Sequence, residues 1–385
     1  MNRLDELITE LCPDGVEFKS LNEVCHISKG VQFNKKDMKD EGTYPVINGG
    51  INPSGYIEQY NCDENTITIS QGGASAGYVN YLTQKFWVGA HCYTLKPYKN
   101  VLNRYLYHFC KSNEYKLQEC QYGAGIPALA KSTIASLQIP VPPLEVQREI
   151  VRILDNFTEL TAELTAELTA RTQQYEYYRE KLICETDNTV KLSEVCDIYL
   201  GLTATPNYVE SGVKFISAQN TSSDYLDLDN TKFISEEDYI KATSNAKPKR
   251  GDVLFTRVGS NLGHPVIVET DEKLCIFVSL GYLRPKDTTV VDNRYLKHWM
   301  NTDLFWAQVR KNVHGAAKVN LNTGWLKEFE IQLPDITVQK TICNHLDLLD
   351  RICTDFSTGL PAEIEARQKQ YEYYRDKLLT FKPIS

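Results

Sequence analysis

Nowhere in this chain does an apolar run approach the roughly 20 residues that a bilayer-spanning helix requires, so no membrane partner is expected. The opening Met1-Asn2-Arg3-Leu4-Asp5-Glu6 is acidic and amphipathic and does not read as a signal peptide. The eleven cysteines are odd in number, scattered and without a Cys-x-x-Cys pair. That pattern argues against a disulfide framework or a zinc site and for reduced thiols in a cytoplasmic setting. Hydrolytic motifs are missing as well: there is no His-Glu-x-x-His, and the seven histidines suggest no Ser/His/Asp set. Gly72 to Gly77 has P-loop glycine spacing, but Tyr78-Val79 follow where Lys-Ser/Thr is required, so it reads as a turn. Positive charge is short too. The formal net charge of -8 is awkward for phosphate binding, although basic residues gather at Lys35-Lys36, Lys247-Pro248-Lys249-Arg250 and Arg310-Lys311.

What the chain does have is a duplication. Gln174-Tyr175-Glu176-Tyr177-Tyr178-Arg179-Glu180-Lys181-Leu182 returns as Gln370-Tyr371-Glu372-Tyr373-Tyr374-Arg375-Asp376-Lys377-Leu378. Upstream, Asn103-Arg104-Tyr105-Leu106-Tyr107-His108 matches Asn293-Arg294-Tyr295-Leu296-Lys297-His298, and Glu23-Val24-Cys25 with Gly30 matches Glu194-Val195-Cys196 with Gly201. Gly123-Ala124 and Leu129 line up with Gly315-Ala316 and Leu321. Register is kept along each half and shifts only at loops, so the repeat covers the chain. His108 and His298 at matched places suggest a shared packing role.

Two kinds of segment alternate. Residues 1–143 and 187–335 read as mixed α/β domains, with strand-like stretches such as Thr66-Ile67-Thr68-Ile69 and Val253-Leu254-Phe255-Thr256 between Gly- and Asn-rich loops. Residues 144–186 and 336–381 carry apolar positions in steps of three and four: Ile150, Ile153, Phe157, Leu160, Leu164, Leu168, Tyr175, Tyr178 and Leu182 in the first. That is a coiled-coil seam, with a local stutter where the steps are all of four. Gly359 and Pro361 should break the second helix into two parts near residue 360. Each long helix needs a partner, and the expected one is the other copy, packed antiparallel. The fold class is therefore α+β: two mixed domains separated by two long helices in an antiparallel coiled coil, with an internal pseudo-two-fold repeat.

Pro140-Val141-Pro142-Pro143-Leu144-x-x-Gln147-x-x-Ile150-Val151 stands at a domain-to-helix junction, followed by two Thr-Ala-Glu-Leu units and the Tyr-rich string. With these motifs the whole chain resembles the specificity subunits of type I restriction-modification systems. The second junction departs from the pattern, with Asp335-Ile336-Thr337 in place of Pro143-Leu144-Glu145. The resemblance implies a non-catalytic subunit whose two target-recognition domains each read one half of a bipartite, asymmetric site in double-stranded DNA. It further implies docking of two methyltransferase subunits that modify adenine at N6, with motor and nuclease subunits completing the complex. No cofactor is expected on this chain; S-adenosylmethionine belongs to the methyltransferase. In agreement, the Asn/Asp-Pro-Pro-Tyr/Phe tetrapeptide of adenine methyltransferases is absent. A DNA-independent scaffold or inhibitor binding the same subunits is the alternative.

Base reading needs polar side chains projected from loops or helix ends into a groove. In the first domain the candidates are Lys29, Gln32, Asn34, Lys35 and Lys36, with Gln71 and Ser75. In the second they are Thr203, Thr205, Gln219, Asn220, Arg257, Ser260 and Asn261, with Lys311, His314, Lys318 and Asn320 for phosphates. Tyr177 and Tyr373, off the seam, either pack on the adjacent domain or dock a methyltransferase subunit. The tandem units, represented by Thr161, Leu164, Thr165 and Leu168, suggest a ruler. One unit is about 6 Å of helix with a net rotation of about 40°, against about 3.4 Å and about 34° for one base pair.

Overall fold

The computed structural model describes residues 3–123, 127–186, 188–243, 247–259, 261–312 and 320–384. Its chain divides into two compact units, Met1–Leu164 with Ile364–Ser385, and Thr165–Glu363. Each unit joins one mixed domain to stretches of helix from both halves of the sequence.

In the first unit a four-stranded sheet runs in the order Cys25–Lys29, Cys92–Pro97, Thr66–Ser70, Val79–Leu82, all antiparallel. The inner strand Thr66–Ser70 is β-branched at four of five positions and buried at all but the first, as a strand covered on both faces should be. The helix Asn103–Ser112 packs across this sheet. A smaller sheet sets Tyr44–Ile47 between antiparallel Tyr56–Ile57 and parallel Trp87–Val88.

The second unit repeats the plan. Its main sheet has the order Cys196–Leu200, Leu280–Pro285, Val253–Thr256, Pro265–Ile267, with the helix Asn293–Met300 across it. The smaller sheet again contains one parallel pair, Val213–Ile216 with Leu274–Ile276. Strand-like Thr66–Ile69 and Val253–Thr256 therefore lie where the sequence places them, and the matched strings from Asn103 and Asn293 are helices in both units.

The first long helix is continuous over Leu144–Cys184, 41 residues. Its threonines do not disrupt it, because Thr158, Thr161, Thr169 and Thr172 bond carbonyls three or four residues back. The second is split into Ile336–Thr354 and Leu360–Leu378. Asp355 organises the break by accepting from the Ser357 N–H and hydroxyl. Pro361 then stands in the first turn of the new helix, where a missing N–H costs nothing.

Helices meet antiparallel. In the second unit Thr172 meets Cys353, and Leu182 shares a groove with Ile342, so rising numbers face falling ones. In the first unit Phe157 stacks on Tyr374 at 5.4 Å. The helices also enter the cores of the domains. Val146, Ile150 and Leu154 share one core with Ile67, Leu95 and Leu106, and Ile342 and Leu346 share the other with Phe255 and Leu283. Packing on a partner helix and packing on a domain are thus combined. Tyr178, assigned to the seam by its spacing, is instead 38% exposed, because the seam contact at this end is made by Tyr175. Among the described residues no helix is long and apolar enough to cross a membrane.

Candidate nucleic-acid interface

Matched residues hold each domain to its helices in the same way. Gln147 and Gln339, the junction glutamines, are fully buried. The Gln147 side chain accepts from the Leu102 N–H at 2.9 Å and donates to the carbonyls of Asn100 and Pro142. Gln339 accepts from the Asp292 N–H at 2.9 Å and donates to those of Val290 and Pro334. A carboxamide is the group that can accept and donate at one site, which gives the junction motif its physical meaning. The departure at Asp335-Ile336-Thr337 leaves this contact intact.

Deeper in, His108 Nε2 lies 2.7 Å from Asp155, which also takes Arg104 at 2.5 Å, and His108 Nδ1 lies 3.1 Å from the Tyr371 hydroxyl. The copy in the other unit has His298 with Asp347 at 2.8 Å, Arg294 at 3.0 Å and Tyr175 at 3.2 Å. Both histidines are fully buried. Burial lowers the pKa of His108; the Asp155 bond opposes this, and the Arg104 charge adds to the lowering. Burial alone would raise the Asp155 carboxyl, but the bonds from His108 and Arg104 outweigh it and hold it below the usual carboxylate range. A neutral His108 fits this geometry, with Nε2–H donating to Asp155 and Nδ1 accepting from Tyr371. Both histidines are buried and bonded on each ring nitrogen, in line with the packing role expected of them.

Opposite in character are the loops at one end of each main sheet. In the first domain the loop after Lys29 and the loop after Ser70 meet on the turn 89–92. The Gly30 N–H donates to the Cys92 carbonyl and the Gln71 N–H to that of His91. Gly30 is required there, since a Cβ would sit 2.1 Å from the Gly89 carbonyl oxygen. In the second domain the Gly201 N–H donates to Leu280 and the Arg257 N–H to Ser279, around the turn 277–280. A Cβ on Gly201 would likewise lie 2.1 Å from the Phe277 carbonyl oxygen. The loops that begin at Gly30 and Gln71 and those that begin at Gly201 and Arg257 are therefore assembled at equivalent sheet ends.

Within them exposure separates the residues. Lys29, Gln32, Asn34, Lys35 and Lys36 are exposed, and among the described residues these three lysines join no ion pair. By contrast Arg250 is paired with Asp271, and Arg310 approaches Asp303. Gln71 and Ser75 are half-buried. Thr203, Thr205, Gln219, Lys311 and Asn320 are exposed, and Asn320 bridges to Val258 beside Arg257. Three candidates face inward. Arg257 is 8% exposed and donates from Nε to the Leu321 carbonyl and from Nη1 to Val278. Asn220 is buried, accepting from the Ser217 N–H and donating to Asp227 and Asn230. Asn261 donates to the Thr221 carbonyl. Their polarity suggested a groove, but their bonds go to loop carbonyls, so they shape the loops. Ser260, His314 and Lys318 lie outside the described residues.

Sequence reading passed over Trp87. The Trp87 indole N–H donates to the Val31 carbonyl, its ring meets Phe33 edge-on at 5.0 Å, and Val31 is 58% exposed. Nothing local marks Trp87, which reaches the loop from 56 residues away. On the helices Tyr177 and Tyr373 are 60% and 61% exposed, matched outward positions. Thr161, Leu164 and Leu168 are half-buried and Thr165 is exposed.

Two copies of one frame, each presenting a polar loop end, define a two-domain recognition protein, and the family follows from comparison. Residues 13–173 and 185–366 match the type I restriction modification DNA specificity domain, and the chain belongs to that family. It is 31% identical, over 95% of its length and 96% of the relative's, to a Haemophilus influenzae protein provisionally named a type I restriction enzyme specificity subunit. With the specificity subunit of the Escherichia coli type I restriction enzyme EcoR124I/EcoR124II it shares 27% identity, covering 99% of this chain and 97% of the other. The S subunit of a type I restriction-modification system from M. genitalium has the same fold, with a TM-score of 0.62 at 18% identity, covering 95% and 96% of the two chains.

Proposed function

We propose that this specificity subunit reads a two-part site in double-stranded DNA, one half with each domain, using the loop ends built on Gly30 and on Gly201. The observation that carries this reading is the combination of a shared frame with unlike loops. Gln147, His108 and Asp155 are repeated residue for residue, whereas Lys35-Lys36 and Gln71 have no counterpart among Thr203, Thr205 and Gln219. A reader of two different half-sites needs that division. The chain carries no catalytic residues of its own. It docks two methyltransferase subunits, which bring S-adenosylmethionine and methylate adenine at N6, and motor and nuclease subunits complete a restriction enzyme in the cytoplasm. Tyr177 and Tyr373, matched and exposed, are the candidate docking residues. Partner subunits would also supply positive surface to offset the charge of -8.

Co-purification with a methyltransferase subunit, followed by sequencing for N6-methyladenine, tests the reading. A bipartite methylated motif is expected. A stable complex that leaves DNA unmethylated would reverse it in favour of a scaffold. The tandem Thr-Ala-Glu-Leu stretch sets the gap between half-sites, by one base pair per unit. Deleting Thr165–Leu168 should shorten the gap in that motif by one, and an unchanged gap removes the ruler.

A further inference from the structure

Val31 and Leu202 follow the matched glycines Gly30 and Gly201, and their backbones are held alike. The Val31 N–H donates to the Val88 carbonyl at 3.0 Å, and the Leu202 N–H donates to that of Ile276 at 2.8 Å. Their side chains go opposite ways. Leu202 is half-buried against the core of Val213, Phe215 and Ile234, whereas Val31 is 58% exposed.

The difference lies one residue before the acceptor. Cys275, which precedes Ile276, is a small buried side chain in the core that takes Leu202. Trp87, which precedes Val88, is half-buried and donates its indole N–H to the Val31 carbonyl at 3.2 Å. Val31 is therefore bonded at both its N–H and its carbonyl while its side chain stands out. Beyond it the loop stays fixed. Phe33 meets the Trp87 ring at 5.0 Å, and Asn34 caps the short turn Lys35–Asp37 by accepting from the Lys36 N–H. Valine is stiff at χ1, so a fixed backbone also fixes its two methyl groups.

A single exposed valine is ordinary. This one is held by an indole from 56 residues away, and it lies between Lys29 and Lys35, which join no ion pair among the described residues. A surface that covers it must be anionic for the lysines and carry an apolar group for the valine. Duplex DNA offers both, because the 5-methyl group of thymine is the apolar feature of a base edge in the major groove. We propose that Val31 is a specificity-determining residue whose side chain reads the methyl group of a thymine in the half-site of the first domain, with Trp87 as its positioning residue. The proposal rests on the first domain reading DNA. Leu202, turned into its own core, makes no such contact.

The test uses the full chain co-purified with its methyltransferase subunits, and duplexes that carry the motif this complex methylates. Each thymine of the first half-site, on either strand, is replaced in turn by deoxyuridine, which lacks only the 5-methyl group. One replacement should weaken binding about fourfold, the size expected for one buried methyl group. Val31→Ala should bind the thymine duplex about fourfold more weakly and no longer distinguish deoxyuridine at that position, since both changes remove the same contact. Its melting temperature should not move, because the site is exposed. Trp87→Phe keeps a ring and loses the N–H; it should shrink the thymine preference at that position alone, and a loss spread evenly over the half-site would remove Trp87 from its role. No thymine preference at any position, or one that Val31→Ala retains, overturns the proposal and leaves the DNA reading standing. A complex that methylates no motif overturns both.

Discussion

His108 in one unit and His298 in the other are held by the same three kinds of group, an aspartate and an arginine of their own half and a tyrosine of the other half. At the sheet ends the backbone plan is shared but the side chains are not: Lys35 and Lys36 follow Gly30, whereas Thr203 and Thr205 follow Gly201. The contrast teaches how one architecture separates stability from specificity. Buried polar pins need complete sets of partners and so are duplicated intact. Exposed loops contribute little to stability and are free to diverge.

The comparison breaks most severely at the junction glutamines. Gln147→Leu would leave the Leu102 N–H and two carbonyls without partners, costing about 3 kcal/mol, and Gln339→Leu should cost the second unit a similar amount. Urea unfolding followed by hydrogen exchange would show each loss confined to its own unit; equal loosening of both would end the idea of independent pins.

Acid should act next, on the first pin. His108 has a lowered pKa when folded, so the unfolded chain takes up its proton first as pH falls through about 6.5. Stability must therefore decline there, by no more than about 1.4 kcal/mol per pH unit for one proton. Asp155, also lowered, stabilises above the unfolded value of about 3.9 and loses that contribution as pH drops through its folded value. Thermal melts from pH 7.5 to 5 should flatten in His108→Gln; an unaltered slope would place the titration elsewhere.

Smaller still is the hydroxyl of the crossed tyrosine. Tyr371→Phe and Tyr175→Phe should each cost about 1 kcal/mol, measured by the same unfolding, with parity between them expected from the similar 3.1 and 3.2 Å contacts. The slightest effect on folding, and a selective one on binding, belongs to the loops. Lys36→Ala should reduce the salt dependence of DNA binding by about one counterion without changing sequence preference, whereas a changed preference would make Lys36 a base reader.

Much of this architecture was legible because it is local and repeated. Strand-forming Thr66–Ile69 and the three-and-four spacing after Leu144 act over a few residues and recur in the second half, while the break at Gly359 and Pro361 is equally local but belongs to the second helix alone. The inward turn of Arg257 and Asn220 was not legible. A polar side chain in a Gly-rich loop has the same local signature whether it faces solvent or caps carbonyls, and only the fold brings Leu321 to Arg257.

By itself, then, the sequence determined that the chain is one unit built twice, where its helices begin and break, and which loops differ between copies, since all of these follow from residue order over short range. Tertiary structure alone decided that Tyr371 seeks out His108, 263 residues away, and Tyr175 His298. It also decided that Val31 stands out from its loop while Leu202, its twin, is turned against a core. Those outcomes depend on which segments fold back together in space, and local pattern carries no record of that.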